Sequence, residues 1–271
     1  MTAYACLAIF DPAGDSEAFA QAAIGSAAIF HARATLGLIA PAPVPGERTH
    51  PAHLSTEAFN GFVEAKENAL WTLARKSDCE VRVFIDTLDA SLDALVKASR
   101  CFDIIIVGPA GAYGDHEVRE LIIEKLLLQS AKPILLLPDR AIEHTPGKIV
   151  VGWNGTREAT RALDCALPLV DPQAQIDLIS VLPMDPPLST RTEADDMCIR
   201  LSAMGYDASA RIAHKGHLDT AGTLLEKAAA AAADFLVIGG FHHSHLRETL
   251  FGGVTRDIIH GDHAIPVLIA H

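Results

Sequence analysis

The chain repeats its own plan. "ACLAIFD" near the start has a counterpart in "IVVGWN" past the middle, "FDIIIVGP" in "DFLVIGG", and "AKPILLLP" in "AIPVLIAH". In that pairing Asp11 matches Asn154, Gly108 matches Gly239 and Pro133 matches Pro266. The spacing between partners drifts by roughly ten residues along the chain, as loop insertions cause, and a repeat this long means two similar domains, not a solenoid. The join is "PDRAIEHTPGK" (Pro138 to Lys148), polar, with two prolines and a glycine, which is linker composition. The expected domains are residues 1–140 and 146–271.

Within each half, short apolar runs alternate with amphipathic stretches. That is the pattern of parallel strands covered by helices. In the second half the expected strands are Lys148 to Trp153, Ile176 to Leu182, Asp207 to Ala213, Asp234 to Gly240 and Ile265 to His271. The clearest helices are Thr156 to Leu169 and Thr220 to Ala233. Abundant alanine and few aromatics suit a helix-rich α/β protein. The longest alanine run, Ala228 to Ala233, lies between Lys227 and Asp234, too short and too flanked by charge to span a membrane. A net charge of −12 argues against nucleic acid or an anionic membrane as the main partner. The five cysteines lie far apart with no CxxC and read as small buried hydrophobes in a reducing compartment. The N-terminus lacks a basic start and reaches Asp11 early, unlike a signal peptide, so the expected location is the cytoplasm.

In an open parallel sheet, ligands bind beyond the carboxyl ends of the strands where the strand order reverses. If the first and fourth strands of the second half are adjacent, Asn154 and Gly239 end on one crevice. Gly252 and Gly253 then precede "VTRDII", where Val254 and Ile258 share one helical face. The free amides and positive dipole end of such a helix start form an anion pocket. Gly261 is the expected end of that helix.

The motif Gly239, two residues, His242, nine residues, Gly252-Gly253-Val254-Thr255 resembles the signature of universal stress proteins, as "VGWNGTREATRALDCAL" resembles their opening strand and helix. The halves look like two such domains in tandem. The resemblance implies α/β domains, each a doubly wound, five-stranded parallel sheet of order 3-2-1-4-5. It also implies ATP or a related adenine nucleotide, with Mg as a companion, in the second domain. By that carry-over Asn154 meets the nucleoside, Gly152, Trp153, Val181 and Ile238 wall the adenine, and Gly239, Gly252, Gly253, Val254 and Thr255 surround the phosphates. His242 stands where the family has glycine, and Gly253 where it has a hydroxyl residue. The first domain departs further: "GPAGAYGDHEVRELIIEKLLLQ" has Gly108, Gly111 and Gly114 but no second glycine pair, and Asp115, Glu117 and Glu120 add negative charge. It reads as a degenerate copy that supplies structure and partner surface. The resemblance also implies pairing, as an internal pseudo-dimer or between copies of the chain.

Rival chemistry is weaker. His242, His243 and His245 share one loop while His214 and His217 follow the third strand. In order 3-2-1-4-5 these clusters are far apart, so no metal site is expected from them. Ser244 lacks a GxSxG elbow, and no GxxxxGK[ST], HExxH, GxGxxG or kinase signature occurs. The expected function is stress-response regulation by a bound adenine nucleotide without efficient catalysis. A slow ATPase, or a ligand-free or metal-binding scaffold, is the alternative.

Overall fold

A computed structural model describes residues 4–14, 17–42, 56–182, 188–240 and 253–271. The chain divides into two compact units, Met1–Glu143 and His144–His271. Each unit is an α/β fold on a parallel sheet.

In the first unit β1 (Tyr4–Phe10), β2 (Ala32–Pro41), β3 (Glu80–Asp86), β4 (Ile104–Val107) and β5 (Ile134–Leu136) alternate with α1 (Glu17–Ile29), α2 (Thr56–Ser77), α3 (Leu88–Ser99) and α4 (His116–Gln129). Their spatial order is β3-β2-β1-β4-β5, the 3-2-1-4-5 topology. The register sets Cys6 beside Ala34 of β2 and beside Ile104 of β4.

The second unit repeats this with β6 (Lys148–Gly152), β7 (Gln175–Leu182), β8 (Asp207–His214), β9 (Phe235–Gly239) and β10 (Val267–Ala270), joined by α5 (Arg157–Ala166), α6 (Leu188–Ala203), α7 (Thr220–Ala230) and α8 (Gly253–His260). Its order is β10-β9-β6-β7-β8. Counted within the unit this is again 3-2-1-4-5. The chain runs outward from β6 to β8, then jumps back to place β9 on the other side of β6, so β6 and β9 flank the switch point.

The central strands are buried on both faces, which is why they are continuous apolar runs rather than alternating ones. Ile149, Val150 and Val151 of β6 and Leu236 and Val237 of β9 have no exposure. The outer strand β8 is half-exposed and carries Asp207 and Arg211, the charged dressing that blunts an open edge.

Several boundaries differ from the sequence expectation, each for a local reason. β6 ends at Gly152, although the Trp153 amide still donates to Ile179 at 2.9 Å. The helix expected over Thr156 to Leu169 begins one residue later. Thr156 is its cap, the side chain accepting from the Ala159 amide. That helix finishes as a 3-10 turn at Leu167–Leu169, where Pro168 cannot donate to the α ladder. Gly261 does follow α8, but not in the left-handed conformation of a typical glycine cap. A Cβ there would come within 2.7 Å of the His263 ring, whose Nε2 lies 2.6 Å from the Ile258 carbonyl. Space, not backbone freedom, is what this glycine supplies.

The cysteines are less uniform than expected. Cys6 is buried, Cys101 is exposed, and Cys79, Cys165 and Cys198 are half-buried, all as free thiols.

Candidate functional site

The crevice of the second unit lies at the carboxyl ends of β6 and β9. Gly152, Trp153 and Asn154 leave β6, Ile179, Val181 and Leu182 come from β7, and Ile238 and Gly239 end β9. Thr156 and Glu158 open α5, Thr220 and Leu224 lie one turn apart on α7, and Gly253, Val254 and Thr255 open α8. The cavity is about 160 Å³, room for on the order of ten waters, or roughly 300 Å³ of liquid. At about 160 Å³ it is smaller than the roughly 300–1,000 Å³ of most small-molecule sites.

The local sequence explains each placement. Asn154 turns the chain out of β6: its Oδ1 accepts from the Thr156 hydroxyl at 2.8 Å and the Thr156 amide at 3.3 Å, an Asx turn of the kind these residues favour. Gly155 follows at φ +70°, where a side chain would be strained. Thr156 then caps α5. The Asn154 amide nitrogen donates to no described residue. Ile179 and Val181 share one face of β7 by the two-residue period of a strand.

Two glycines act differently from one another. A Cβ on Gly152 would stand 2.9 Å from Leu224 Cδ1 and 3.3 Å from Ile238 Cγ2, so Gly152 keeps the apolar end of the cavity open. A Cβ on Gly239 would stand 2.6 Å from the Ala159 amide nitrogen and 2.7 Å from the Glu158 carbonyl carbon. Gly239 is needed so that the start of α5 can lie against the end of β9, a packing demand that the sequence reading had put down to ligand approach.

Glu158 is the ionisable one of the lining residues that the sequence reading missed. It is 5% exposed, and its carboxylate accepts from Arg157 Nε at 2.5 Å. Burial pushes its pKa up, but the Arg157 hydrogen bond and charge, with hydrogen bonds from its own amide and from Thr156, hold it below the usual carboxylate range. It therefore stands in the wall as an anion. A first-turn glutamate is common at helix starts, so nothing in the sequence marked it off from a solvated one. Trp153 is 5% exposed, and its Nε1–H is the one buried side-chain polar atom among the described residues without a hydrogen-bond partner. Such a group costs roughly 1–3 kcal/mol until an acceptor arrives.

Of the eleven residues expected at the site, nine line this one cavity: Gly152, Trp153, Asn154, Val181, Ile238, Gly239, Gly253, Val254 and Thr255. His242 and Gly252 lie outside the described residues, as do His243, Ser244 and His245. Thr156, Glu158, Ile179, Leu182, Thr220 and Leu224 complete the wall without having been expected. Thr220 and Leu224 follow the third strand of the unit, far in sequence from both motif segments, and only the return of α7 across β6 brings them in. His214 and His217 are exposed. No three His, Cys, Asp or Glu side chains converge as metal ligands among the described residues, and no described helix is long and apolar enough to cross a membrane.

Chemically, the arrangement suits a flat, mostly apolar ring between Trp153, Val181, Ile179 and Leu224, with neutral donors at one end. At the other end the first amides of α8 offer the field of a helix start.

Residues 146–271 match the model of the Universal stress protein family. Among solved structures the chain is similar to a universal stress protein from Archaeoglobus fulgidus DSM 4304, at 16% identity and TM-score 0.70, covering 98% of this chain and 95% of that one. It is also similar to a candidate universal stress protein from Pseudomonas aeruginosa UCBPP-PA14, at 17% identity and TM-score 0.59, covering 99% and 93%. At these identities the structures speak for the fold of both units. No curated protein sequence matches significantly.

Proposed function

We propose, from the match of residues 146–271 to the Universal stress protein family, that the second unit of this chain is a regulatory module that binds one adenine nucleotide. What supports the reading is that residues drawn from β6, β7, β9 and α8, distant in sequence, line one crevice at the switch point. That is where doubly wound sheets hold ligands. In this reading Trp153, Val181 and Ile238 wall the base, Asn154 meets the nucleoside, and the amides from Gly253 to Thr255 face the phosphate end. His242 and Gly252 belong to the same proposal on their sequence positions.

The module binds without efficient turnover. Among the described lining residues Glu158 is the one carboxylate, and its bond to Arg157 with a lowered pKa makes it a weak base. The signalling output is a change in association between copies of the chain or with a protein partner in the cytoplasm. Calorimetry of the full chain with adenosine, AMP and ATP tests the binding. One site per chain is expected. Two equal sites, or none, would overturn the reading. Turnover of ATP on the order of 1 per second, as in competent phosphoryl-transfer enzymes, would replace it with an ATPase.

A further inference from the structure

The two units leave their first strand by the same turn with different side chains. In the first, the Asp11 carboxylate accepts from the amide of Ala13, two residues on, at 2.5 Å. In the second, Asn154 Oδ1 accepts from the amide of Thr156, also two residues on, at 3.3 Å, and from the Thr156 hydroxyl at 2.8 Å. Both are Asx turns, which aspartate and asparagine both make because only an oxygen is needed. Asp11 and Asn154 are also the positions that the repeat pairs.

What differs is the atom left over. A backbone amide can only donate, so the asparagine atom facing it is the oxygen, and the Nδ2 group takes the other position. A carboxylate would place a second acceptor there. Asn154 therefore brings a two-hydrogen donor to the crevice that it lines, held by a turn whose Thr156 also caps α5. This polarity is set by groups within the turn and does not depend on what else borders the crevice. Asp11 is 4% exposed and Asn154 is exposed, so the first unit keeps its turn residue inside while the second offers its own to a ligand.

We infer that Asn154 is a polarity filter: the ligand presents a bare lone-pair acceptor, a ring nitrogen or an ether oxygen, to Nδ2, and an acid at this position would repel it. The inference rests on the nucleotide reading above and names the class of ligand atom that Asn154 takes. A ligand hydroxyl is served by either residue, since it can accept from an amide or donate to a carboxylate. A bare acceptor is served by the amide alone. Against it a carboxylate sets lone pair to lone pair, and selectivity comes from that repulsion as much as from the bond made.

Calorimetry of the full chain with adenosine, for wild type and Asn154→Asp, tests this. Adenosine is neutral, so repulsion between the new charge and a phosphate does not enter. Asn154→Asp keeps the turn, as Asp11 does in the first unit, and its melting temperature should stay near that of wild type. Its affinity for adenosine should fall at least about tenfold, from a lost donor and an acceptor left facing another. If Asn154→Asp binds adenosine as tightly as wild type, or more tightly, a ligand hydrogen faces this residue. The inference is then overturned and the nucleotide reading stands. If wild type binds neither adenosine nor AMP, the nucleotide reading falls and takes this inference with it.

Discussion

The two units share a topology and differ in what fills the carboxyl end of the sheet. In the second unit the ends of β6 and β9 open on a cavity. In the first, the equivalent ends of β1 and β4 are bridged by protein. The Tyr113 hydroxyl donates to the Ile9 carbonyl at 2.7 Å and accepts from the Gly108 amide at 3.4 Å. Arg119, 3% exposed, donates Nε to the Gly108 carbonyl at 2.9 Å. A Cβ on Gly108 would stand 2.8 Å from the Phe19 ring, which in turn packs on Phe10. The first unit has built a side-chain occupant where the second leaves space. Among the described residues the same place in the fold is a cavity in one unit and is bridged by side chains in the other.

The largest effect that would break this comparison is on binding. Gly152→Val places a side chain against the Leu224 Cδ1, the far end of a flexible group, and against the stiffer Ile238 Cγ2 methyl, so the apolar end of the cavity fills at some cost in packing. Affinity for AMP should fall by roughly 30- to 150-fold, equivalent to about 2–3 kcal/mol, with a smaller loss of stability, about 1 kcal/mol, from the added contact. Calorimetry beside a thermal scan checks both halves of the claim. Undiminished AMP binding would mean that the ring does not lie against Gly152.

The next effect is on stability and belongs to the first unit. Arg119→Met removes a charge-assisted hydrogen bond and leaves the buried Gly108 carbonyl unpaired. The cost is about 2–3 kcal/mol, read by urea denaturation, and AMP affinity should not move. Tyr113→Phe removes the hydroxyl from between two backbone groups and should cost about 1–2 kcal/mol. If either variant changed AMP binding, the plug would be part of the site and the contrast between the units would fail.

This contrast was partly legible in the sequence. The repeat, the period of the elements and the matched motif segments carry topology, because both faces of a central parallel strand must be apolar and a switch point follows from strand order. The nine cavity residues were reachable for the same reason: strand ends and helix starts are local features. Glu158 was not, since whether a first-turn glutamate is solvated or buried depends on how closely Gly239 lets α5 approach β9. Tyr113 was not either. The sequence places it between Gly111 and Gly114, turn-like, and nothing local announces that its hydroxyl reaches back to β1 across more than a hundred residues. Long-range closure of this kind depends on packing, not on pattern.

The smallest expected effect is a difference in pH dependence between the two crevices, and its signs are opposite. The folded pKa of Glu158 lies below its ordinary value of 4.5. Its stabilising contribution is therefore full above that value and is lost as pH falls through the folded pKa. Tyr113 is the reverse: burial pushes its pKa well above the ordinary 10, against smaller lowering effects from Arg119 and the Gly108 hydrogen bond. The folded state keeps the phenol neutral, so that contribution is full below pH 10 and is lost as pH rises toward the folded value. Melting temperatures of wild type, Glu158→Gln and Tyr113→Phe should then separate at opposite ends of the scale. The glutamine variant should flatten the acid side below about pH 4.5 and leave the alkaline side as in wild type. The phenylalanine variant should flatten the alkaline side above pH 10 alone. If Tyr113→Phe altered the acid limb, or Glu158→Gln the alkaline one, the two crevices would be coupled and could not be treated as an open site and an independent plug.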